Sequence, residues 1–164
     1  MRHIHGYYDK DMVLGVNDIS QIANDELKKE FQITDALVKP RCNQVTKHLV
    51  DNTCKRVIAN SHLIFIFGSS IGASDKLWWD EIGKKLSSDP NTRLVIFYKD
   101  QEIPKRNRGY KLGAIERTVR ANFLLMTNLA PEVIKKAENR IFVVHNAGIF
   151  NFKLKPKDTT AQQV

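Results

Sequence analysis

Residues 63–86 read LIFIFGSSIGASDKLWWDEIGKKL, and this stretch decides the fold. Five apolar residues without alternation, Leu63 to Phe67, predict a strand covered on both faces, as parallel sheets require. The chain then passes through Gly68-Ser69-Ser70-Ile71-Gly72-Ala73-Ser74-Asp75, a run of small and polar residues with the character of a turn. Beyond it Trp78, Ile82 and Leu86 recur every four residues, the spacing of an amphipathic helix. A strand, a short turn and a helix in that order open a βαβ unit.

Two more apolar runs extend the pattern, LVIFY at 94–98 and IFVV at 141–144. Helical spacing fills the intervals. Val45, Leu49, Val57 and Ile58 fall on one stripe between Pro40 and about Ala59, with Pro40 suited to a first helical turn. Ile115, Val119, Phe123 and Met126 mark a helix from Tyr110 to about Asn128, and Val133, Ile134 and Ala137 mark a short one after Pro131. The expected fold is α/β, a Rossmann-like three-layer arrangement with a mainly parallel sheet and right-handed crossovers. One domain is expected over 1–152, with the polar stretch 17–39 as an insertion or a loosely packed helix and 153–164 as a flexible tail. MVLGV at 12–16 reads either as a short strand or as a segment along the sheet edge.

The first residues contain HIHG, positions 3–6. A strand over Arg2 to His5 suggests that the sheet is cut, so that the chain is a truncated part of a larger domain. Doubly wound domains usually enter on a Gly-rich phosphate turn after the first strand, and this sequence has none.

Composition bounds the function loosely. The chain has 164 residues, 42% of them hydrophobic, enough for one domain with a core. Lys and Arg total 26 against 18 Asp and Glu, a formal charge of +8 that attracts anions, nucleic acids included. Cys42 and Cys54 match neither a zinc site nor a disulfide framework, so reduced thiols and no metal are expected. No apolar run approaches the roughly 18 residues of a membrane span, and no signal peptide is recognisable. The expectation is a cytoplasmic protein with no membrane partner.

Gly68, Ser69 and Ser70 are candidates for contact with a nucleotide ligand. Glycine lets the backbone approach closely, the hydroxyls bond to a ribose or phosphate, and the following helix offers N–H groups at its start. Open α/β sheets bind ligands at this end of their strands. Asp75 has two readings, a ligand contact and the N-cap of the helix. On the same rim, a strand ending at His5 would present an imidazole able to act as general base near neutral pH, beside Gly6. His3 points to the same strand face, and only its position sets it apart from His5. His145 and Asn146, in VVHNAGIFNF, either reach this rim or belong to a turn at Gly148 followed by aromatics against the sheet edge. KDQEIPKRNRGYKLG, residues 99–113, carries five basic residues, either a solvated loop or a hold on a nucleic-acid backbone.

The succession of HIHG, VLGVND, IFIFGSSIGASDKLWWDEI and RLVIFYKD resembles the C-terminal half of the bacteriophage abortive infection AbiH family, over residues 2 to about 100. The resemblance implies a phage-defence protein. The same elements are similar, more remotely, to the sirtuin-like nucleotide-binding fold. That likeness implies His5 as the base acting on a ribose hydroxyl, Gly68, Ser69 and Ser70 as the ribose-binding turn, and NAD as the cofactor. It further implies NAD hydrolysis by the intact protein and none by this chain alone, which lacks the Gly-rich loop and an upstream Asn-bearing segment. A second expectation is a non-catalytic sensor of nucleic acid or a phage component, binding through the loop that holds Lys105, Arg106 and Arg108.

Overall fold

The structure is a computed structural model, and it describes residues 14–45, 50–100 and 108–148. The three apolar runs form strands β1 (Leu63–Phe67), β2 (Arg93–Tyr98) and β3 (Ile141–His145), all parallel and in the spatial order β1-β2-β3. Seven helices accompany them among the described residues. They are α1 (Asp25–Lys29), α2 (Phe31–Leu37), α3 (Lys39–Val45), α4 (Val50–Asn60), α5 (Lys76–Ser88), α6 (Arg108–Met126) and α7 (Pro131–Glu138). The strand and helix succession expected from residue 63 onward is therefore present, and the fold is α/β.

Packing follows from the period-2 geometry of the strands. Ile66, Leu94, Ile96 and Ile141 point to one face and are buried there under Trp78, Trp79, Ile82 and Leu86 of α5, Val119, Phe123 and Leu124 of α6, and Ala137 of α7. Gly83 lets α5 and α6 close up, since a Cβ at that position would lie 3.0 Å from the Thr127 side chain. The opposite face carries Leu63, Phe65, Phe142 and Val144, all exposed. The described residues thus make a helical layer on one face of the sheet, where the continuous apolar runs predicted cover on both. The difference is physical: an apolar side chain in a strand has the same identity whichever face it occupies.

The single stripe expected between Pro40 and Ala59 is corrected. In α4 the inward positions are Cys54, buried in the core, and Ile58, packed against it four residues on, whereas Val57 and Val45 of α3 are exposed. A stripe fitted across both helices averages two different inward faces. Residues 17–39 are ordered by local chemistry. Asp18 and Gln21 form a reciprocal capping box around a turn of 3-10 helix, and Asn24 caps α1. Of MVLGV, Val16 forms one parallel bridge to Val38, with Val16 N–H donating to Leu37 O and Lys39 N–H to Val16 O. Gly15 makes this approach possible, because a Cβ there would stand 2.0 Å from the Leu37 carbonyl oxygen. Among the described residues no helix is long and apolar enough to cross a membrane.

Candidate functional site

Three parallel strands end on one rim, and the segments that leave them line a cavity of about 630 Å³. Gly68, Ser69 and Ser70 come from the end of β1, Tyr98, Lys99 and Asp100 from β2, and Asn146, Ala147 and Gly148 from β3. Phe67 and Phe97, one residue or more back along the strands, supply apolar wall. Their rings stand 6.2 Å apart, edge to face.

The β1 turn is shaped by its own backbone. Gly68 has φ +66, and a Cβ there would meet nothing within 4 Å, so glycine serves the left-handed conformation and not a steric need. Ile71 also has a positive φ, 52, which is unusual for a β-branched residue and costs on the order of 1–3 kcal/mol. The turn is held partly by Ile71 N–H donating to Ser69 Oγ at 3.3 Å and by Trp79 Nε1–H donating to Gly72 O at 2.8 Å. Ser69 and Ser70 are exposed. A hydroxyl can donate as well as accept, so both retain the capacity to bond a sugar or phosphate oxygen.

The β3 turn faces it and is tied to β2. Asn146, with φ 48, donates its N–H to Tyr98 O at 2.9 Å and accepts the Asp100 N–H on Oδ1 at 3.0 Å. Asn is among the few residues that tolerate this backbone region, which accounts for its presence there. His145 behaves differently. Its register opposite Tyr98 turns it to the helix-covered side, its ring lies 6.2 Å from that of Tyr98, and its Nε2 is buried with no hydrogen-bond partner.

Asp75 occupies the N-cap position of α5 but makes no side-chain cap hydrogen bond. Instead it accepts from Lys39 Nζ at 2.8 Å, while the same ammonium donates to Ser74 O at 3.1 Å. This ion pair is mostly buried, with side chains 14% and 24% exposed, and it fastens α3 to the β1 turn. Asp75 lines a second, smaller cavity of about 500 Å³, walled by Ile58, Phe65, Trp78, Trp79 and Ile82, that lies across the Gly68–Ser70 turn from the first. The turn therefore borders both spaces.

Of the residues singled out in the sequence, Gly68, Ser69, Ser70 and Asn146 meet at one cavity, and Asp75 lies beyond the turn. His5, His3 and Gly6 lie outside the described residues, as do Lys105 and Arg106. Tyr98 closes the apolar run of the middle strand, and Lys99 and Asp100 open the basic stretch 99–113; none of them was assigned to this rim, although a parallel strand's carboxyl end was signal enough. Among the described residues no three His, Cys, Asp or Glu side chains gather as metal ligands.

A family model described as bacteriophage abortive infection AbiH matches residues 1–98, more than half of the chain, and the chain belongs to that family. No curated protein matches it. No solved structure does either.

Proposed function

We propose that this AbiH-family chain contributes to phage abortive infection through a nucleotide bound at the carboxyl ends of β1, β2 and β3. The cavity of about 630 Å³ between the Gly68–Ser70 and Asn146–Gly148 turns carries the reading, because it joins hydroxyls, an exposed Lys99 and apolar ring surface at the rim where open α/β sheets take ligands. Ser69 and Ser70 would bond the ribose or phosphate, Lys99 would neutralise phosphate charge, and Phe67 and Phe97 would border a base or nicotinamide ring. The finer assignment is a Rossmann-like three-layer, sirtuin-like domain with NAD as the nucleotide. His5 would then take a proton from water as that oxygen bonds to C1′ of the nicotinamide ribose. The C1′–N bond breaks with its electron pair going to the pyridinium nitrogen, leaving nicotinamide and ADP-ribose. Loss of NAD would arrest an infected cell before the phage matures.

The test is NAD content in cells expressing the protein with its native flanking sequence. A fall that disappears in His5→Ala, and that weakens in Ser69→Ala/Ser70→Ala, is the expected outcome. Unchanged NAD together with no binding of NAD or ADP-ribose by the purified protein would refute it. The +8 charge favours a second reading, a nucleic-acid sensor acting through Lys105, Arg106 and Arg108. Salt-sensitive nucleic-acid binding that survives His5→Ala and drops when those three side chains are neutralised would select it.

A further inference from the structure

The β1 turn is held from an element that comes much earlier in the chain. Lys39, the first residue of α3, sends its ammonium to Asp75 Oδ1 at 2.8 Å and to Ser74 O at 3.1 Å, and its own backbone is locked in place. Its N–H donates to Val16 O at 2.9 Å, and Val16 N–H donates to Leu37 O at 2.8 Å. Val38, beside it, is buried, and its carbonyl accepts the N–H groups of Arg41 and Cys42 that start α3. A lysine on so fixed a base, with its side chain mostly buried, is a strut and not a surface charge.

What the strut supports is a strained turn. Ile71 holds a left-handed backbone at φ 52, and such a conformation persists only where its surroundings constrain it. The entry to the turn is fixed by the sheet, where Phe67 pairs in register with Phe97. The exit is Gly72 to Asp75. Gly72 O accepts both Trp79 Nε1–H at 2.8 Å and Asp75 N–H at 3.3 Å, so a shift of Asp75 reaches Gly72 directly. Gly72 in turn lies against Ser70, since a Cβ on it would stand 3.6 Å from Ser70 Oγ. A path of contacts thus runs from Lys39 through Asp75 and Gly72 to one of the two hydroxyls at the rim cavity.

Asp75 has a second use within reach. It stands at the N-cap of α5, where an aspartate ordinarily accepts N–H groups of the first helical turn, and it makes no such bond. The carboxylate faces Lys39 instead. We propose that Lys39 is a positioning residue for the ligand site: by drawing Asp75 away from the helix it keeps Ser69 and Ser70 in their binding arrangement, and the position of α3 thereby sets the affinity of the rim cavity. The ligand in this proposal is that of the nucleotide reading, on which it rests; the clamp on the turn is independent of it.

The experiment uses the full chain with Lys39→Met, which keeps an unbranched side chain and removes its donor. Residue-resolved amide exchange is expected to rise about tenfold more at Ile71 and Asp75 than at Val95 and Ile96 of β2. Affinity for ADP-ribose should fall about tenfold, and Lys39→Arg should restore both. A purely structural side chain would lower the melting temperature and leave the affinity of folded molecules alone, so faster exchange with unchanged affinity overturns the proposal. Exchange at Ile71 and Asp75 that rises no more than in β2 overturns it as well. Should Lys39→Met fail to fold, Asp75→Asn removes the charge from the other end and keeps a residue able to cap α5. The same two shifts are then expected, and the absence of either is equally decisive. A parent chain that binds neither NAD nor ADP-ribose overturns the nucleotide reading, and exchange at Ile71 and Asp75 then decides for or against the clamp.

Discussion

The two ends of the sheet are built on opposite principles. At the carboxyl end the chain turns through three left-handed residues, Gly68, Ile71 and Asn146, around a cavity. Ile71 and Asn146 are the two non-glycine residues with positive φ among those described, and both sit there. At the amino end the chain is tied down instead. Arg140, just before β3, donates to Leu86 O at 2.6 Å, Asp89 O at 2.8 Å and Thr92 O at 3.4 Å, and so closes the last turn of α5 against the start of β2. Asp89 gathers Lys85 Nζ at 2.9 Å, Thr92 Oγ1 at 3.0 Å, His62 Nδ1 at 3.1 Å and the Asn91 N–H at 2.9 Å. Strain collects where a ligand would bind, and satisfied polar groups collect where none is expected, a division of labour familiar from open α/β folds.

The largest break in this contrast should come from Arg140→Met. Four carbonyls, those three and that of Lys136, would lose a charged donor, and since the side chain is half-buried water restores only part of the loss. The expected decrease in unfolding free energy is about 2–3 kcal/mol, measured by denaturant titration. Nucleotide affinity of the molecules that remain folded should not change. If affinity falls with stability, the two ends are coupled and the contrast fails.

Gly68→Ala tests the other end, with a smaller expected effect on stability. A Cβ at Gly68 meets no neighbour within 4 Å, so the cost is that of the left-handed backbone alone, about 1 kcal/mol. Binding should suffer more than folding, because the new methyl group and any shift of φ change the surface of the turn. A tenfold loss of NAD or ADP-ribose affinity with a melting point only a few degrees lower would sharpen the contrast. A stability loss as large as that of Arg140→Met would dissolve it.

How much of this could be read beforehand depends on how far apart the interacting residues are in the chain. The strands were legible from the runs at 63–67, 94–98 and 141–144, because four or five consecutive apolar residues need no partner to declare themselves; the structure adds Arg93 to the second and His145 to the third. The Gly68–Ser70 turn was legible for the same reason, since glycine and serine between a strand and a helix carry their meaning locally. The Lys39–Asp75 pair was not, because its members lie 36 positions apart and Asp75 stands where an N-cap is expected. Nor was the union of Asp100 with Asn146, 46 positions apart, which exists only because β2 and β3 pair in the register that sets Tyr98 opposite His145. The open face of the sheet left no mark either. Phe65 and Ile66 are both apolar, and only the helices above the sheet distinguish them.

The finest test of the contrast is acid. Lys85 first, then the Asn91 N–H and the Thr92 hydroxyl, hold the Asp89 carboxyl well below the ordinary carboxylate range in the folded protein. The unfolded chain has none of these partners, so its carboxyl binds protons at higher pH than the folded one does. Asp89 therefore contributes its full stabilisation above about pH 5, and that contribution drains away as pH falls through the unfolded value toward the folded one. Between pH 5 and pH 3 the unfolding free energy should decline, and Asp89→Asn should flatten the decline while lowering stability at pH 7. The rim cavity makes the opposite demand. Asp89 lies at the far end of the sheet, so nucleotide affinity at pH 7 should be the same in Asp89→Asn as in the parent, measured by titration calorimetry. An acid limb unchanged by the substitution would mean that the amino end is held by Arg140 and the core alone, and the carboxylate cluster would lose its place in the comparison.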